Sequence, residues 1–174
     1  MSVERSYHSI IKTVKVYEDL LKNISEDIFS VNPSDGVWSY SETFSHIFQS
    51  NLASLIAIDR CMVKTDAKKS ERLHWLVWLI LFFGRFPPGK IKAPERIASM
   101  VKKIDVEEAR SLIIKFKSRL DEVKEGVVNA DPDQKVKHPR LGLLNARQWF
   151  RFIEIHTKHH TAQLKRIERM LKNT

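Results

Sequence analysis

The last stretch of the chain constrains its fold more than any other. Trp149, Phe152, Ile153, Leu164, Ile167, Met170 and Leu171 recur at helical spacing, with Arg147, Arg151, Glu154, Lys158, Lys165 and Arg169 opposite them. At about 3.6 residues per turn this is a long helix with one apolar stripe, which has to be buried against other elements. His156, His160 and Gln163 fall inside that stripe. His159 points roughly 60° away, toward its edge.

A lone histidine in an apolar stripe reads as a hydrogen-bonded core residue. Two at i and i+4 put both imidazoles on one face about one turn apart, where each needs partners for both ring nitrogens and the two crowd each other unless something shared sits between them. A divalent metal ion meets that need. An HxxxH spacing without the glutamate of HExxH is not a sharp motif, so the core reading stays beside the metal reading.

Four such helices are expected. Tyr7, Ile10, Val14, Tyr17, Leu21, Ile24 and Ile28 define a first helix over 5–29, which stops before the turn residues of Asn32-Pro33-Ser34-Asp35-Gly36. Ser39, with Glu42 three residues later, reads as a capping box that opens a second helix over 40–64, and Phe44, Phe48, Leu52, Leu55 and Met62 form its main arc. Asp105 and Glu108 open a third over 105–127, whose stripe is Leu112, Ile113, Phe116, Leu120 and Val123. The segment from Asp131-Pro132 to Gly142, which contains His138, reads as a loop. Asn145 and Gln148 cap the last helix, over 146–172.

The connection from Thr65 to Lys103 is too long for adjacent antiparallel helices. With short links elsewhere, it predicts an all-α four-helix bundle, up-down-down-up, in one domain over 1–174. The connection carries Trp75, Trp78, Phe82, Phe83 and Phe86, an apolar load expected to be buried over the site or in a subunit contact, so a homodimer is one expectation. Lys90, Lys92 and Arg96 follow and either meet an anionic ligand or solubilise a loop.

Composition narrows the classes. With 174 residues, 43% hydrophobic and 29% charged, and only 5 Gly and 6 Pro, the chain suits a helical globular domain. Its apolar run Trp75–Phe83 is far shorter than the roughly 20 residues of a membrane-spanning helix, so no membrane span is expected. One cysteine, Cys61, rules out an intramolecular disulfide and reads as a core thiol. The start of the sequence has no signal-peptide pattern, and the expected compartment is cytoplasmic. A net charge of +9 invites a nucleic-acid reading, but the cations lie on helix faces or in loops without interleaved aromatics, so no nucleic-acid partner is expected. A small-molecule substrate is.

Two histidines on one helix need a third ligand from a facing one. His8 is near a terminus, His74 lies in the irregular connection and His138 precedes a proline; His46 is well inside the second helix and is the choice. It lies about 160° from Phe48, on a face with Ser50, Ala53 and Ala57, which requires that helix to be buried on two sides. Three neutral imidazoles leave an open position for water, the pattern of a catalytic site.

The segment Trp38-Ser-x-x-x-Glu42-x-x-x-His46, with His156-x-x-His159-His160-x-x-Gln163, resembles the DinB-like (DinB/YfiT) metalloenzyme superfamily over nearly the whole chain. That resemblance implies a triad of His46, His156 and His160 around nickel, zinc or a similar divalent ion. It leaves the reaction open among hydrolysis, transfer of a low-molecular-weight thiol as co-substrate, and isomerisation. Glu42, one turn before His46, either orients that imidazole or acts as a base, or serves the helix cap alone. Gln163 bonds a ligand or His160. A non-catalytic metal-binding protein of stress response or interaction is the alternative.

Overall fold

The computed structural model describes residues 2–63, 73–87 and 101–173. Its helices are α1 (Val3–Asn23), α2 (Glu26–Ser30), α3 (Tyr40–Met62), α4 (Trp75–Phe83), α5 (Val106–Asn129) and α6 (Ala146–Lys172), with an antiparallel hairpin of β1 (Lys135–His138) and β2 (Gly142–Asn145) between the last two. Side chains seat the helix starts. Ser39 and Glu42 close one capping box, Asn145 and Gln148 a second, and Asp105 accepts from the Glu108 amide. Each supplies a partner for amide groups that the helix cannot satisfy itself.

Four long helices form the bundle, and cross-helix bonds give its directions. Tyr7 near the start of α1 bonds Asp121 late in α5, while Arg110 early in α5 reaches the Leu21 carbonyl, so α1 and α5 are antiparallel. Between α3 and α6 the pairs are Thr43 with Gln163 and Asn51 with Thr157, and Cys61 approaches Leu144 just ahead of α6. That pair is antiparallel too. Ser41 exchanges two bonds with the Ile104 backbone at one end of α3, and Asp59 pairs with Arg119 at the other, which makes α3 and α5 parallel. The order is therefore up-down-down-up, with the end of α3 at Met62 and the backbone at Ile104 at opposite ends of that helix.

The largest fully buried side chains are Tyr17, Phe29, Phe44, Phe48 and Phe116, with Phe150 of α6. Tyr17, Phe44 and Phe48 meet edge to face at centroid distances of 5.5 and 5.6 Å, the arrangement that ring quadrupoles favour. α3 is buried on more than one side: Ser41, Thr43, Ser45, Asn51 and Ser54 are as enclosed as its aromatic arc. Ala53, by contrast, is exposed.

Two sequence expectations are corrected. The first helix does not run on to residue 29. Ile24 is extended, Ser25 caps the short α2, and Phe29 fills the core where Ile28, 45% exposed, was expected. The segment at 131–142 is not all loop: Val136 pairs with Leu144 and His138 with Gly142, whose φ of 75° is open to glycine at little cost. The aromatic run is helix α4, which within one chain buries only Val77 and Leu81. Trp75, Trp78, Phe82 and Phe83 are 53–63% exposed. Arg151 of α6, placed by periodicity on the polar face, is largely covered and donates to the Leu81 carbonyl at 3.1 Å. Lys90, Lys92 and Arg96 lie outside the described residues.

Candidate metal centre

His46 comes from the second turn of α3, and His156 and His160 from facing positions of α6. The antiparallel crossing brings the three rings together. His156 Nε2 lies 3.3 Å from His46 Nε2 and 3.1 Å from His160 Nε2, and one ligand atom from each ring falls within 4.8 Å of the others. His156 and His160 are buried and His46 is half-buried. Among the described residues no fourth histidine, cysteine or carboxylate joins the group.

The outer nitrogens decide what the inner ones can do. His156 Nδ1 is 2.9 Å from Asn51 Oδ1, and His160 Nδ1 is 2.7 Å from Gln163 Oε1. An amide oxygen only accepts, so each Nδ1 carries the proton and each Nε2 presents a lone pair. His46 Nδ1 has no hydrogen-bond partner among the described residues. Its ring lies 5.2 Å from that of Trp38, centroid to centroid, while Phe152 stacks on His156 at 5.4 Å.

Burial, more than the neighbouring imidazoles, lowers all three basicities: His46 to about 4, His160 to about 3, and His156 well below its ordinary value. At neutral pH the rings are uncharged, the form that binds metals. Two bare lone pairs about 3 Å apart with no proton between them repel, and a cation between them removes that repulsion. The donor set therefore fits a divalent ion: three neutral nitrogen ligands, two of them oriented from behind.

Glu42 and Gln163 are placed differently. Glu42 Oε2 accepts from the Ser39 amide at 2.9 Å, the Ser39 hydroxyl at 2.9 Å and Asn32 Nδ2 at 2.6 Å, all at the start of α3. Gln163 sits behind His160 and donates to Thr43 at 3.4 Å. His159 stands edge-on to Phe86, 5.2 Å between centroids, beside His160. His138 is away from the cluster: its Nδ1 accepts from the Arg140 and Leu141 amides and its ring packs on Trp149 and Phe152. Cys61 is buried, and burial pushes its thiol up to about 11. Two clefts of the described residues are lined by none of the three histidines. One of about 420 Å³ is lined by Trp38 and Glu42 with residues of the 32–37 turn, and one of about 340 Å³ is lined by α4 residues, Arg85 and Phe86.

An up-down-down-up four-helix bundle in which three histidines converge from two antiparallel helices is the class of protein that the fold and the site define. Within that class the chain belongs to the DinB superfamily, whose family profile matches residues 10–164. Two solved structures share the fold. One is YfiT from Bacillus subtilis, described as a probable metal-dependent hydrolase with an unusual four-helix bundle topology, at TM-score 0.66 and 11% identity, covering 99% of this chain and 90% of that one. The other is the four-helix bundle protein TT2238, at TM-score 0.52 and 18% identity, covering 94% and 98%. No curated protein matches the sequence.

Proposed function

We propose that His46, His156 and His160 hold one divalent metal ion, nickel or zinc, and that the protein is a metal-dependent enzyme acting on a small substrate, as a hydrolase or as a transferase of a low-molecular-weight thiol. The observation that carries this reading is the convergence of three Nε2 atoms, two of them held proton-free by Asn51 and Gln163. A cation bound there acts as a Lewis acid and lowers the pKa of a water or thiol presented to it.

The chain's own residues supply the rest. Three neutral ligands would leave a bound cation's charge uncompensated by protein anions, and among the described residues no fourth ligand would compete with a small molecule for it. Phe152 and Trp38 cover the imidazole faces, which lowers the local dielectric and strengthens charge interactions at the site. Gln163 holds His160 in its tautomer. Glu42 contributes by fixing the first turn of α3, from which His46 projects one turn later. YfiT, a probable metal-dependent hydrolase on the same fold, supports the hydrolase arm.

One observation favours a second reading, a non-catalytic metal-binding interaction protein: the exposed aromatic face of α4, which on this view meets a partner, a second copy of the chain among them. Metal-loaded wild type and His156→Ala are to be compared against activated esters and amides, and against an electrophile supplied with a low-molecular-weight thiol. Turnover by wild type that disappears in the variant supports the enzyme. A wild type that holds metal but turns over neither substrate set favours the binding protein.

A further inference from the structure

We propose that Asn51 is the positioning residue of this site, selecting the tautomer and aim of His156 through a buried relay that ties the ligand to three helices; as far as it concerns metal affinity, this rests on the metal reading above.

The relay runs in one direction only. Thr157 Oγ1 donates to the Ile153 carbonyl at 2.6 Å, which uses its single proton. Toward Asn51 it can then only accept, and Asn51 Nδ2 donates to it at 3.0 Å. That contact fixes the amide's orientation, so Oδ1 must face His156, where it lies 2.9 Å from Nδ1. An oxygen there requires a proton on Nδ1 and leaves Nε2 bare, aimed at His46 and His160. Asn51 and Thr157 are fully buried, so no competing water position is at hand to reverse the amide at low cost. Tyr17 of α1 donates to the Thr157 carbonyl at 2.7 Å and brings the third helix into the same network. Asn51 touches no reacting atom; it acts through His156.

Two variants and two measurements test this. Asn51→Asp keeps an oxygen facing Nδ1 but puts its second oxygen where the amide donated, so Thr157 must turn its proton from the Ile153 carbonyl, whereas Asn51→Leu keeps the bulk and removes both contacts. In metal-free protein, long-range ¹H–¹⁵N correlation of the His156 ring should show a proton on Nδ1 in wild type and Asn51→Asp, and a mixture of tautomers in Asn51→Leu. Affinity for Zn²⁺, measured by competition with a chromophoric chelator, should fall about 10–100-fold in Asn51→Leu. In Asn51→Asp it should stay at or above that of wild type. An unchanged tautomer in the leucine variant, or an aspartate variant that loses the Nδ1 proton or the affinity, overturns the assignment. Should Asn51→Leu fail to fold, the aspartate variant still decides. A wild type with the stated tautomer that binds no Zn²⁺ would refute the metal reading and leave the tautomer assignment standing.

Discussion

Seven histidines are spread over this chain, and what each ring nitrogen faces separates their roles. His138 faces backbone amides. Burial lowers its pKa from 6.5 to about 4, so between those values the unfolded chain binds the proton that the folded protein refuses. Its contribution to stability is therefore complete above about pH 6.5 and is lost as pH falls toward 4, by at most about 3 kcal/mol for one group. Chemical denaturation of metal-free protein from pH 7 to 4 should show that loss. His138→Phe should be less stable at pH 7, by about 1–3 kcal/mol for two amides left without an acceptor, yet less sensitive to acid. Glu42 belongs to this scale as well: with three donors on one oxygen, Glu42→Ala should cost about 1 kcal/mol and leave cation affinity unchanged. A large fall in affinity would show that it acts on His46. His46 could be picked from sequence because it alone of the remaining histidines sits well inside a helix. Asn51 could not, because it lies about 140° around α3 from His46 and reaches the cluster only where α6 crosses.

At the scale of elements, helix starts were legible where a side-chain acceptor stands ahead of an apolar run, as at Ser39, Asp105 and Asn145. The break after Asn23 was hidden because Ile24 and Ile28 continue the apolar spacing across it. There the cap at Ser25 and the acidic first turn of α2 outweighed periodicity. The hairpin was hidden because four-residue strands carry too few alternations to register against a loop. Gly84 ends α4 in the left-handed region at φ 69°, and a Cβ there would run into the Arg151 guanidinium. Gly84→Ala should therefore destabilise the protein by about 1–2 kcal/mol from backbone strain, with a further cost if Arg151 has to leave the Leu81 carbonyl. Thermal unfolding of the variant checks this. An unchanged midpoint would mean that α4 is not held to α6 in this way.

Over the whole molecule, the parallel pairing of α3 and α5 forces a crossover along the bundle, and length alone made that visible. Composition called for the aromatic run to be covered, and within one chain α4 docks by one narrow edge and leaves four large rings outward. No described helix is long and apolar enough to cross a membrane. If that face pairs subunits, sedimentation of wild type should report a dimer, and Trp78→Ser with Phe82→Ser should shift it to monomer with the helical content kept. A monomeric wild type would remove the subunit contact from the account. Whether the three histidines hold a metal is read by elemental analysis of protein purified without a histidine tag. The expected result is about one divalent ion per chain, mostly nickel or zinc, and loss of that ion in His46→Ala, His156→Ala and His160→Ala. Wild type without metal after exposure to both ions, or His156→Ala with its full complement, would contradict it.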